Sequence, residues 1–393
     1  MKNAQDKPAA AYKVGLAVRY KTEVLDKDGR TVRSRPWKNN LILDVGLDMP
    51  AAYAMAACFR YLALGTGTAP TKRDSGTITA ARSGNTITAN ASFFTAGDIG
   101  RTIKFDSGQT FKITGYTSGT VVSTTEIGTV GASEFTIWHT SDTNLETEVY
   151  RDLTVDTSTG NNKSSFLAGV WTHQRVFLTG AFGTAYTVKE IGWSPIATPG
   201  GNLFGRDLIA GGGDAVGIGQ QYKVTVQLAV TYSPIASGGV AQSNVGSGWD
   251  TTGTFGIEGL TPCCVSSDGN TDSPSGSSAF LEFCGTPWAF YLTDQNAAIR
   301  AASDTPPQHS TKNGTQEGVA YWQTYTSGAK QRDIRQYWAV GDGNGTAYSF
   351  ELCGGYFYHN VFARALLATP QVKDSDHTLL ITARWGWDRV LVN

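Results

Sequence analysis

Lys223–Tyr232 reads KVTVQLAVTY, and the period of these ten residues decides the fold class. Val224, Val226, Leu228, Val230 and Tyr232 fall on one side of an extended chain, with Lys223, Thr225, Gln227 and Thr231 on the other. Such alternation predicts an antiparallel strand with one dry and one wet face. Strand-like stretches crowd the sequence before it: FLAGVW from Phe166, QRVFLTGAF from Gln174, AYTVKEIGW from Ala185 and NLFGRDLIA from Asn202. The expected class is all-β, with antiparallel, jelly-roll-like sandwich domains.

Composition agrees. The 393 residues are 40% hydrophobic and 17% charged, with 46 Gly and 10 Trp, the usage of short strands joined by tight turns in a packed protein. No apolar run approaches the ~20 residues of a spanning helix. The length suggests two or three domains. The amino-terminal segment lacks the apolar core of a secretion signal, so synthesis and use in a cytoplasm are expected.

Charge is uneven along the chain. The first forty residues hold ten Lys/Arg against four Asp/Glu, leaving the remainder net −7. A flexible arm is expected over residues 1–11, followed by a hairpin turning at Asp26–Gly29, where DKDG separates two strand-like runs. Pro50 and the Ala-rich run behind it predict a short helix over about residues 50–59.

Between Thr71 and Thr140 the texture becomes rich in Thr, Ser and Gly. Within it RTIKFDSGQTFKI, from Arg101, predicts a hairpin setting Ile103 and Phe105 opposite Phe111 and Ile113. Residues 71–140 read as a small β module inserted into a loop of a first sandwich formed by 12–70 and 141–235. A Gly/Ser-rich linker with loops, 236–280, then leads to a second, diverged sandwich over 281–393.

That second domain is inferred from repetition. GTAYTVKEIGW at Gly183 is answered by GTAYSFELCGG at Gly345, and NLFGRDLIA at Asn202 by NVFARALLA at Asn360. The alternating strand at Lys223 is answered by LLITARWGWD from Leu379. In both copies a Phe and an Arg stand two apart, Phe204 with Arg206 and Phe362 with Arg364. An arginine between apolar side chains needs a partner, either an acid of its own domain or a group on the next subunit. These four residues are therefore candidate subunit-interface positions.

Familiar chemistry is sparse. The five cysteines lack CxxC spacing, the five histidines are scattered, and the Gly-rich stretches GTGTAPTK and GGGDAVGIG lack the order of a phosphate loop. DGNTD from Asp268 lacks the later ligands of a calcium loop. No catalytic residue, metal or cofactor is expected. Aromatics of the carboxy-terminal half, Trp322, Trp338, Trp385 and Trp387 among them, are candidate glycan or partner contacts, with core packing the competing reading.

As a set, YLALGTGTAP, TNLETEVYR, EIGW, LFGRDLIA and QQYKVTVQLAVTY resemble the recurrent module of tailed-bacteriophage virion proteins, found in tail, baseplate and fibre-attachment components. The resemblance covers about residues 40–70 and 141–235, with a weaker echo in 280–390, where FELCGG departs from VKEIGW. AGDIGRTIKF and FKITGYTSGTVV resemble small β modules embedded in phage tail proteins. The resemblance implies a structural, non-enzymatic virion component assembled in the host cytoplasm. Its partners would be further copies of itself, as a trimer or hexamer, and neighbouring virion proteins, with neither a membrane anchor nor nucleic acid. The rival readings are a tail protein that binds a host-surface glycan receptor and a capsid decoration protein.

Overall fold

The computed structural model describes residues 11–51, 58–153, 163–167, 170–232, 239–240, 242–244, 255–256, 289–293, 319–322, 324–339, 345–354, 360–376 and 379–391. The described chain is nearly all β, as the alternation required. The expected arm 1–11 falls almost wholly outside these residues, as do the DGNTD loop and most of 236–280.

The first strand, β1 (Ala11–Leu25), is the spine. It turns at Asp26, whose Oδ1 accepts the Asp28 and Arg30 N–H groups at 2.9 Å while Gly29 takes a positive φ of 78°, and returns as β2 (Thr31–Ser34). β3 (Lys38–Ile42) follows and leads into α1 (Asp44–Asp48). No helix was expected at these residues, and the helix expected over about 50–59 falls largely outside the described set. Pro50 sits in a 3-10 turn, Met49–Ala51, and residues 52–57 lie outside the described set. In α1 the Leu47 N–H donates to the Leu43 carbonyl at 3.0 Å, with both side chains buried. β4 (Tyr61–Gly65) completes this part of the chain.

A separate four-stranded sheet comes next: β5 (Lys72–Ala89), β6 (Thr102–Phe105), β7 (Thr110–Ser118) and β8 (Val121–Trp138), in the order β5-β8-β6-β7. The β6–β7 hairpin sets Ile103 opposite Phe111. It has its own apolar cluster, with Ile87, Ile103, Phe105, Ile113, Val122, Phe135 and Ile137 each 1% exposed or less, while Arg82 of β5 is also buried, its guanidinium 3.9 Å from the Phe111 ring centre.

The chain then rejoins the main sheet through β9 (Glu148–Asp152), β10 (Lys163–Leu167) and β11 (Val170–Leu178). β12 (Tyr186–Val188), β13 (Glu190–Ser194), β14 (Gly205–Leu208), β15 (Asp214–Val216) and β16 (Gln221–Tyr232) follow. The main path runs β10-β11-β16-β1-β3-β14-β13-β4-β9. Val224, Val226, Leu228 and Val230 are all buried, and β1 answers them with buried Leu16, Val18, Tyr20, Thr22 and Val24. One face of this sheet is dry, as read from Lys223–Tyr232.

Short strands β17 (Gly239–Val240), β18 (Gln242–Asn244) and β19 (Phe255–Gly256) precede β20 (Ala289–Thr293), β21 (Val319–Trp322) and β22 (Gln331–Trp338). The last are β23 (Gly345–Gly354), β24 (Asn360–Lys373) and β25 (Leu379–Arg389). β25 lies parallel to β1, Ala11 opposite Arg384 through Leu16 opposite Arg389, so the carboxy-terminal region adds strands to the sheet of the first half. Both halves pair the repeated lines antiparallel. Gly192 lies opposite Arg206 in one, and Glu351 opposite Arg364 in the other.

Candidate functional site

Arg206, read from the sequence as a candidate interface position, is the buried centre of an ionic junction within the chain. Its Nη2 donates to Glu190 Oε1 at 2.9 Å and to the Ala69 carbonyl at 2.6 Å, and its Nη1 pairs with Asp142. The arrangement follows from the strand pair. β13 and β14 run antiparallel, and Glu190 and Arg206 lie two positions apart across that pairing, on one face. The intradomain partner weighed against the interface reading is what the geometry supplies. Phe204 is likewise fully buried, its ring tilted at 56° against Phe59 with 4.7 Å between ring centres.

Glu190 is fully buried and holds both ends of the loop that carries the inserted sheet. Oε1 also accepts the Glu146 N–H at 3.0 Å, while Oε2 accepts the Gly67 and Thr147 N–H groups at 3.1 Å. Glu146 itself accepts the Thr68 and Ala69 N–H groups, at 2.5 and 2.8 Å, which holds its carboxyl below the usual range. Residues 66–71 enter the insert and 139–147 leave it, so one carboxylate clasps the two crossings. A carboxylate accepting four N–H groups has no lone pair left for a substrate. The glycines of LALGTG acquire a reason here: a Cβ on Gly65 would stand 2.7 Å from Glu190 Oε2, and one on Gly67 would meet the same oxygen and the Glu146 side chain.

Closer to the insert, Asp98 is fully buried between Arg73, at 2.6 Å, and Arg101, at 3.0 Å. His139 lies beside this group. Burial, reinforced by the cations of Arg101, Arg206 and Arg73 and opposed by Asp98, lowers its pKa to about 4. Burial also raises Asp142, against the pull of Arg206.

A second polar cluster lies on the dry face of β1. Asp207 accepts from Tyr20 Oη at 3.0 Å and Lys38 Nζ at 2.7 Å. Asp214 accepts from Thr22 Oγ1 at 3.0 Å, Tyr222 Oη at 2.7 Å and Arg35 Nε at 2.6 Å. The loop between the two aspartates makes its turn with Gly211, Gly212 and Gly213, all at positive φ. Burial raises Asp207, Tyr20 and Tyr222. Both carboxylates are buried and engaged by cations and hydroxyls, so neither is open to a sugar in the way a glycosidase pair must be.

The aromatic candidates are also placed differently from a binding surface. Trp387 is fully buried, stacked on Tyr325 with its Nε1 donating to the Leu47 carbonyl at 2.5 Å, and Trp338 is buried as well. Neither presents a face to a glycan. Trp387 fills the join between the carboxy-terminal strands and α1, where Tyr325 Oη donates to Asp48 at 2.6 Å and Arg389 pairs with Asp44. Trp322, Trp385, Phe362 and Arg364 occupy β21, β25 and β24, and their side chains lie outside the described set.

Sequence reading missed Glu190, Glu146, Asp142, Asp207 and Asp214 as a group. The available signal was charge in apolar surroundings: Glu190 precedes IGW, and Asp207 sits within LFGRDLIA. Among the described residues no three His, Cys, Asp or Glu side chains converge as a metal site, and no helix is long and apolar enough to cross a membrane. Comparison with known protein families, with curated proteins and with solved structures finds no match for this chain.

Proposed function

We propose that this chain is a non-enzymatic structural component of a tailed-bacteriophage virion, a homo-oligomeric tail or tail-appendage protein assembled around a symmetry axis. The observation that carries the reading is convergence. LALGTG, LETEVYR, EIGW and LFGRDLIA, the lines that resemble the phage module, meet at one junction through Gly67, Glu146, Glu190 and Arg206. That junction consumes its charges in seating one β module on another, which is the work of a framework protein. The internal repeat supports the same reading, since two related units in one chain suit a ring of three or six copies. Its partners are further copies of itself and adjoining virion proteins.

The test has two stages. Light scattering on the purified chain is expected to give a trimer or hexamer, and a monomer at all concentrations would count against assembly by this chain alone. Immunogold labelling of phage particles with antibody to the chain is expected to mark the tail. Label spread over the head would replace the tail reading with a decoration protein, and absence of label would overturn the virion assignment.

A further inference from the structure

The wet face of the main sheet carries a row of planar polar side chains crossing four strands. Gln174 of β11 lies opposite Gln227 of β16, Gln227 opposite Arg19 of β1, and Arg19 opposite Asn39 of β3. At ~4.8 Å between strands the row is about 14 Å long. Thr172, Ala229 and Ala17, in register with one another, form a low shelf along one side. On the other stands Trp37, a large aromatic more than one-third exposed, with the Arg19 guanidinium 4.7 Å and the Lys21 ammonium 5.9 Å from its ring centre.

Arg19 donates Nε to Gln227 Oε1 at 2.6 Å, which orients the guanidinium and leaves its terminal nitrogens open. Among the described residues neither Arg19 nor Lys21 has a carboxylate partner, unlike the cations of the junction and of the aspartate cluster. The surface therefore offers two cations without an ion-pair partner among the described residues, a fixed aromatic and the amides of Gln227 and Asn39, with Glu23 two positions beyond Lys21 on the same face and Val176 and Thr225 buried beside the row.

We infer that this face binds an acidic polysaccharide laid across the strands, with uronate-type carboxylates on Arg19 and Lys21 and a sugar ring packed against Trp37. Hydroxyl-rich polymers match planar donors and acceptors, and the carboxylates would pair with Arg19 and Lys21. A protein partner would need a larger apolar anchor region than a single indole. Two cations are few for the phosphates of a duplex. The inference is independent of the virion assignment and moves glycan recognition from the buried carboxy-terminal tryptophans to the amino-terminal half.

The test is affinity electrophoresis of the full chain in gels containing polygalacturonate, neutral dextran or double-stranded DNA. Polygalacturonate is expected to retard the protein and dextran to leave it unaffected. Trp37→Ala and the pair Arg19→Gln with Lys21→Gln should each weaken retardation about tenfold, with unfolding midpoints close to that of the parent because these side chains are not in the core. Absence of retardation, or retardation unchanged in Trp37→Ala, would overturn the inference. Equal retardation by DNA would overturn it in favour of a general polyanion surface.

Discussion

The inserted sheet and the junction beneath it are held by opposite means. Inside β5–β8 the buried centre is hydrocarbon and aromatic ring, with Phe135 packed on Phe93, Phe94 and Phe105. At the junction a few residues away, the buried centre is Glu190 and Arg206, with half-buried Asp142 beside them, backbone N–H groups donating to Glu190 and Arg206 donating to the Ala69 carbonyl. Apolar burial supplies cohesion without direction, so it can close the small sheet without saying where that sheet sits. A carboxylate that must accept four donors demands one geometry, so it fixes how two chain crossings meet the main sheet. A buried ion pair is poor evidence of net stability. Its value here is position.

The largest effect is expected at Glu190. Glu190→Ala strands Arg206 without its buried partner and leaves the Gly67, Glu146 and Thr147 N–H groups unsatisfied, a loss of about 3–5 kcal/mol in denaturant unfolding. A loss below 1 kcal/mol would erase the distinction between the two regions.

Ile103→Ala removes buried volume from the insert alone and should cost about 3 kcal/mol. Hydrogen exchange should quicken within β5–β8 and leave the β1–β16 pairing protected. Equal loosening of both sheets would show that the insert and the framework are one cooperative unit.

Gly67→Ala is a smaller disturbance at the clasp, about 2 kcal/mol, because the new methyl group meets the Glu190 carboxylate and the Glu146 side chain. Thermal unfolding would read it. Gly76→Ala is the contrast, since nothing lies within 4 Å of its Cβ position and only the positive φ resists.

The mildest test is acidity. The His139 pKa falls from the ordinary 6.5 to about 4 on folding, so between those values the unfolded chain binds the extra proton. The stability present above pH 6.5 is therefore lost as pH falls toward 4. His173, also lowered to about 4 by burial, acts in the same sense. The raised carboxyl of Asp142 works in the opposite direction, its share being lost as pH rises out of the carboxylate range. His139→Gln should reduce the fall in melting temperature between pH 7 and pH 5. An unchanged fall would place the sensitivity at His173 or elsewhere.

Periodicity made the strands legible. The alternation in Lys223–Tyr232 and the turn chemistry of Asp26–Gly29 are local, because each residue's face and each turn's φ depend on neighbours a few positions away. The Ile103–Phe111 hairpin was legible for the same reason. α1 itself was not legible, because Leu43 and Leu47 are buried by partners distant in the sequence, and the helix expected over about 50–59 falls largely outside the described residues. Arg206 was recognised as needing a partner, but which acid would answer it could not be read.

By itself, then, the sequence determined an all-β chain, a change of texture between Thr71 and Thr140, and a line written twice. Only the tertiary structure decided that Glu190, from one strand pair, would close on residues 67 and 146–147 across sequence separations of more than forty residues. It likewise buried Trp338 and Trp387 and left Trp37 outside. The physical reason is common to both outcomes. Burial and ion pairing depend on which surfaces meet, and strand order and register settle that only after the local pattern has done its part.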